Sequence, residues 1–237
     1  MPEDYDRWLK TVGRDPVRLW QLSAIGYVLA PDKAWQQIKK DPRFSRHFEA
    51  VKGFNLYASG SGVGVTGVSG ESPAQHRILR FKDGLPRFQL YSDWEAVPDE
   101  TVGARLLDRN FDPHAKVLVS PDTALALPKS LPMSNGVPEV ISSQLSPTDA
   151  RATVKAAHPA VLLFVNKHSS DWLVTVDGNP APLLRCNSLC LGVYLEPGRH
   201  DVRFHLRKRW GLFGFQMAGM LICLLAMVAL WWPRRTS

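Results

Sequence analysis

His168, Ser169, Ser170 and Asp171 stand side by side, and these are the residue types from which a hydrolytic base, nucleophile and orienting carboxylate are assembled. Their adjacency works against that use. Consecutive side chains of an extended chain point to opposite faces, and the chain has no G-x-S-x-G elbow to present a serine; a polar turn between strands is expected. Gly62, Gly64 and Gly67 fit G-x-G-x-x-G. A dinucleotide site needs a strand before that motif and a helix directly after it, so that phosphate meets the amides of the helix start. Here the glycines alternate with valines and run into Ser72-Pro73, so residues 59–70 are expected to be a flexible hairpin or loop. His114 follows Asp112-Pro113 and is expected in a turn, while His200 and His205 are five apart in one strand and so face opposite sides, which does not make a shared metal site. Cys186 and Cys190, four apart in a run that reads as strand, would stand about 13 Å from each other. That is beyond disulfide reach unless a turn closes the gap. No second pair completes a zinc set, so buried thiols are expected. No catalytic, cofactor-binding or metal-binding residue is assigned, no cofactor is expected, and the chain is not expected to be catalytic by itself.

One binding constellation is left. Trp172 and Tyr194 have ring faces that pack on a pyranose, and Asp177 and Asn179 could add hydrogen bonds, giving a candidate glycan contact. The competing reading, and the favoured one, makes Trp172 the core tryptophan of a sandwich and Asp177 a turn former.

The elements that must position these residues read as mainly β. Tyr5–Lys10 and Pro16–Leu22 carry apolar residues at helical spacing, Ala24–Leu29 reads as a strand, and a helix runs from Pro31 or Asp32 to Lys40 with Asp32 as cap. His76–Phe81 and Arg87–Tyr91 read as strands around Lys82-Asp83-Gly84. Asp99–Leu107 reads as a helix capped by Asp99, and Val117–Val119 as a strand. Residues 121–136 are loop-like and are taken as a boundary. Beyond it the period is two: Arg151–Ala157, Val161–Val165, Trp172–Val176, Pro182–Arg185, Leu189–Leu195 and Asp201–Arg207. Asp177-Gly178 between apolar runs predicts a type I′ hairpin. Such short strands with frequent turns predict an antiparallel sandwich. The expected fold is therefore α+β, mainly β: a mixed α/β region over 1–136, an antiparallel β-sandwich over 137–209, a transmembrane helix over 210–233 and a basic tail over 234–237.

The membrane helix is read from Leu212–Trp232, LFGFQMAGMLICLLAMVALWW, which has no charge and only Gln216 as a strongly polar side chain. Twenty-one residues at about 1.5 Å each reach about 31 Å, the thickness of the hydrocarbon core. Trp210, Trp231 and Trp232 lie at its ends, where indoles prefer the headgroup layer. The formal net charge is +7, and much of the excess lies here, in Arg207, Lys208, Arg209, Arg234 and Arg235. Basic residues beside a span suit anionic lipid headgroups, so a lipid bilayer rather than nucleic acid is the expected partner. The similar number of basic residues on the two flanks does not set the orientation. The start, MPEDYDRWLK, shows no signal-peptide pattern. Two arrangements follow: a cytoplasmic domain with a tail anchor, or the end of a larger protein whose earlier spans deliver the domain outside.

Two segments resemble a known family. LPRFQLYSDWEAVPDETVGARLLDRNFDPHAKVLV (Leu85–Val119) and DWLVTVDGNPAPLLRCNSLCLGVYLEPGRHDVRFHL (Asp171–Leu206) resemble the extracytoplasmic region of YfhO-type bacterial membrane proteins. Leu19–Leu29 is similar to the strand that opens that region, and the final apolar segment follows at the corresponding place. Val176-Asp177-Gly178 and the Pro197-Gly198 to His200 portion carry most of the likeness; Asp171 departs from it, standing where that pattern has glycine. The resemblance implies the C-terminal portion of a polyprenyl-phosphate-sugar glycosyltransferase. The catalytic acid of such proteins belongs to an early loop with no counterpart here. The implied role is a membrane-anchored, non-catalytic module at the outer face of the cytoplasmic membrane that supports cell-envelope glycan transfer, with a glycan or a polytopic membrane subunit as partner. A subunit of a split glycosyltransferase and a tail-anchored cytoplasmic adaptor are the alternatives.

Overall fold

A computed structural model of the chain describes residues 3–60, 62–68, 72–124, 139–207, 219–224 and 227. In chain order the elements are α1 (Glu3–Val12), α2 (Pro16–Leu22), β1 (Tyr27–Pro31), α3 (Asp32–Lys40), α4 (Pro42–Ser45), β2 (Phe48–Ser59), β3 (Gly62–Val68), β4 (His76–Phe81), β5 (Phe88–Tyr91), β6 (Trp94–Ala96), α5 (Val102–Leu107), β7 (Val117–Val119) and α6 (Pro121–Ala124). After residue 138 come β8 (Glu139–Leu145), β9 (Asp149–Ala156), β10 (Ala160–Phe164), β11 (Trp172–Val176), β12 (Asn179–Ala181), β13 (Leu184–Cys186), β14 (Cys190–Leu195) and β15 (Gly198–Leu206).

The strands form three sheets, ordered β1-β4-β2-β3, β5-β10-β14-β13-β7-β6 and β12-β11-β15-β9-β8. The last two make the sandwich. Alternation aims Ala150, Ala152, Val154, Trp172, Val174, Val202 and Phe204 of the five-stranded sheet at Phe88, Leu90, Leu162, Phe164, Leu191 and Val193 of the six-stranded one. Phe164 sits at its centre, stacked on Phe88 at 4.7 Å and meeting the edge of Trp172 at 6.0 Å. The far face of the six-stranded sheet is covered by Trp8 and Val12 of α1, Leu22 of α2, and Val102 and Leu106 of α5. With both faces covered, β10 is buried at every position and reads as a continuous apolar run. The four-stranded sheet has its own core, where Trp20 and Trp35 pack on Phe48, Leu79 and Phe81.

The prediction of a mainly β fold holds, with three refinements. One pairing in the sandwich, β6 with β7, is parallel. The division expected at 136/137 runs through the six-stranded sheet, which takes β5, β6 and β7 from before it and β10, β13 and β14 from after it. Among the described residues no helix is long and apolar enough to cross a membrane. The 210–233 segment lies mostly outside those residues; its described parts, 219–224 and 227, are helical with exposed side chains. Lys208, Arg209, Trp210, Trp231, Trp232, Arg234 and Arg235 lie outside them too, and Arg207 is exposed, its amide donating to the Asp171 carbonyl at 2.7 Å.

Local chemistry explains several boundaries. Asp15 caps α2, accepting from the amides of Val17 at 3.0 Å and Arg18 at 3.1 Å, with Pro16 at the first helical position. Asp99 does not cap α5; the cap position is Thr101, and Asp99 instead pairs with Arg185 of β13. The chain turns at Ala24, whose φ of 53° delays β1 to Tyr27. Cys186 and Cys190 are not in one strand. Asn187 and Ser188 take φ of 46° and 71°, which folds the run into a hairpin with the two cysteines as cross-strand partners. Asn187 fixes the turn: its Oδ1 accepts from the Leu118 amide at 3.0 Å and its own amide donates to the Leu118 carbonyl at 2.8 Å.

Candidate functional site

The groups first considered for catalysis are engaged structurally. In the 168–171 turn, the His168 amide donates to the Leu189 carbonyl at 2.6 Å, and Ser169 Oγ accepts from the Asp171 amide at 3.2 Å. The His114 amide donates to Asp112 Oδ1 at 2.9 Å, the turn expected of it. Both thiols are buried and pushed up by desolvation, Cys190 to about 12 and Cys186 well above its ordinary value, so neither has thiolate character near neutral pH. Among the described residues no three histidine, cysteine or acidic side chains gather as a metal set.

The four residues proposed for glycan contact are not brought together. Trp172 is 6 % exposed and belongs to the sandwich core, so its ring faces are already packed. Tyr194 lies on the opposite face of the other sheet, edge-on to Trp94. Asp177 and Gly178 form the predicted hairpin with φ of 52° and 83°, and Val176 pairs with Asn179. Asp177 is occupied there: its carboxylate accepts from the Asp201 amide at 2.8 Å and bonds His200 Nδ1 at 2.7 Å. Those bonds, the amide first, hold its carboxyl below the usual range. His200 also faces the Glu196 carbonyl at 2.9 Å through Nε2. Burial pulls its pKa down, but Asp177 and that carbonyl outweigh it and the net direction is up. Asn179 is exposed at the turn.

The structure gathers a different set. The outer face of the five-stranded sheet holds a groove of about 700 Å³. Its walls include Gln144 of β8, Arg151 and Thr153 of β9, and Asp201, Arg203 and His205 of β15. Register assembles them: Gln144 lies opposite Arg151, Arg151 opposite Arg203, and Thr153 opposite Asp201. Two guanidinium groups thus stand side by side, a repulsion relieved by one carboxylate. Asp149 accepts from Arg203 Nε at 2.7 Å and from Arg151 Nε at 3.0 Å. Arg203, with Arg151 after it, holds Asp149 below the ordinary carboxylate range. Thr153 donates to Asp201 at 2.7 Å. The buried Nδ1 of His205 has no hydrogen-bond partner in the described structure. The groove therefore offers a hydroxyl, a carboxamide and two guanidinium groups balanced by Asp149 and Asp201 on a rigid sheet: a surface for a polar, hydroxyl-rich ligand.

Sequence reasoning found the alternation of β9 and β15, with Arg203 and His205 opposite Val202 and Phe204, but not the groove. What makes it a site is the cross-strand pairing of Arg151 with Arg203, which depends on a register between strands about fifty residues apart. Compared with protein-family models, with curated proteins and with solved structures, the chain matches none.

Proposed function

We propose that this chain is a membrane-anchored binding module with no reaction of its own, which uses the outer groove of its five-stranded sheet to hold a glycan at the outer face of the cytoplasmic membrane. The observation that carries the reading is the groove itself, where two arginines, a glutamine, a threonine and Asp201 converge on one ligand-sized concavity. Support for the anchor comes from the uncharged 212–232 run and from the exposed apolar side chains of Met220, Leu221, Ile222, Leu224 and Met227. The resemblance of Leu85–Val119 and Asp171–Leu206 to YfhO-type proteins supports a place beside glycan transfer in the cell envelope.

The test is direct binding of the full chain, in detergent, to neutral and to uronate- or phosphate-bearing oligosaccharides, followed by calorimetry. A hydroxyl-rich glycan is expected to bind, and the Arg151→Gln/Arg203→Gln double variant to weaken that binding by about tenfold or more, the loss of one or two charge-assisted hydrogen bonds. Absence of binding to any glycan, or binding that ignores the double variant, sinks the groove assignment. Protease accessibility of the domain in intact spheroplasts tests the side of the membrane separately.

A further inference from the structure

The hairpin of β2 and β3 is built unlike the rest of the molecule. β4 pairs only with residues 48–54 of β2, so residues 55–59 and their β3 partners stand beyond it as a two-stranded ribbon. Two bonds brace its base: the Leu56 amide donates to Gln75 Oε1 at 2.8 Å and the Gln75 amide to Asn55 Oδ1 at 2.7 Å. Between Lys52 and Glu71 the sequence has no charged residue. An edge strand without charge is a form that soluble proteins avoid, because it invites pairing; β3 is one, with Val63 and Val65 73 % and 63 % exposed.

One face of this ribbon is apolar; the other is mixed, with Asn55, Ser59 and Thr66 beside Tyr57. Register puts Leu56 and Ala58 on one face with their partners Val65 and Val63. Tyr57 lies on the other face and packs across Gly64, where a β-carbon would run into the ring. Further back, Lys52 follows on the Leu56 face, four residues or about 13 Å along the strand. Arg80 lies deeper still on that face, opposite Glu49. An uncharged tip with Lys52 about 13 Å behind it follows the depth profile of a bilayer edge with anionic headgroups above it. The ribbon's edges carry open backbone groups, which limits entry to the headgroup–acyl boundary.

We infer that the β2–β3 hairpin is a membrane-contact element whose tip, Leu56, Tyr57, Val63 and Val65, inserts shallowly into a lipid surface. This does not rest on the groove or on the C-terminal segment. The experiment uses the full chain with Cys223→Ser and one introduced cysteine, at Val63 or, as control, at Gln144, labelled with the fluorophore NBD; Cys186 and Cys190 are buried. Each protein is incorporated into vesicles of phosphatidylethanolamine and phosphatidylglycerol, with and without brominated acyl chains.

The residue 63 probe is expected to shift to the blue, to be quenched by bromine and to be shielded from iodide, while the residue 144 probe stays aqueous. A water-exposed probe at 63 overturns the inference. So does shielding that rises with protein density and ignores bromine, which would assign the tip to a second copy. Flotation of the parent chain and of Val63→Asp/Val65→Asp, with circular dichroism confirming that the variant is folded, separates this inference from the anchor. If both float and the probe is aqueous, the anchor stands and the hairpin inference fails. If the variant alone fails to float, the hairpin is the attachment and the anchor reading fails. If the parent does not float, both fail.

Discussion

β10 and β1 are both five residues long and mainly apolar, yet they meet opposite surroundings. β10 is buried at all five positions, between helices on one side and the five-stranded sheet on the other. β1 buries Ala30 against Trp35 but leaves Tyr27 and Leu29 each 65 % exposed. A sheet face left uncovered by its own chain carries either polar residues or a surface with another use. The sandwich takes the first course: the outer face of its five-stranded sheet alternates arginine, threonine and aspartate with the core. The four-stranded sheet takes the second, so apolar residues at equal spacing mean cohesion in one region and contact in the other.

Substitution at matched positions breaks or sharpens that contrast. The largest effect is expected from Phe204→Ala, which empties the ring contact with Phe164 at 5.3 Å and should cost about 3–5 kcal/mol. Val65→Ala in the hairpin should stay within about 0.5 kcal/mol. Urea unfolding of the full chain in one detergent checks both, and equal losses would abolish the distinction. A smaller effect is expected from Gly178→Ala, because its φ of 83° costs an L-residue about 1–2 kcal/mol; retained midpoint stability would show that the turn rearranges freely.

The smallest effect depends on pH. The raised His200 and lowered Asp177 pKa values give their pair a working window. The histidine contribution is complete below the imidazole's unfolded value of about 6.5 and fades as pH rises through its higher folded value. The carboxylate contribution is complete above about 3.9 and fades as pH falls through its lower folded value. His200→Gln should therefore lower the melting temperature most between about pH 4 and 6.5, with a shrinking difference on either side. A difference that does not vary with pH would reduce the pair to packing.

The sequence was most legible where one residue type has one conformational use. Asp177-Gly178 announced its hairpin, Pro16 the start of α2 at the residue where it begins, and the 2-residue period most strands of the sandwich. It was least legible where long-range pairing decides. Nothing local in Trp94–Ala96 marks a strand, because its partner β7 lies more than twenty residues on. The turn that unites Cys186 and Cys190 depends on Asn187 reaching Leu118, 69 residues earlier. β2 escaped reading because a bulge between Ala50 and Lys52 breaks the alternation that identifies a half-buried strand.

The strand order of the six-stranded sheet also sets when the chain can fold. Among the described residues β5 pairs only with β10, and β7 joins the rest of the sheet through β13. During synthesis, β5 and the β6–β7 pair therefore wait for residues 160–195 before they can join the sheet, and β9 waits for β15 near residue 206 to close its inner edge. Pairings of such sequence separation slow the search for the native state and lengthen exposure of the unpaired strands. For this protein the consequence is a late, nearly simultaneous closure of the sandwich, so chains stopped before β14 should go to proteolysis or aggregation rather than persist as a folded half.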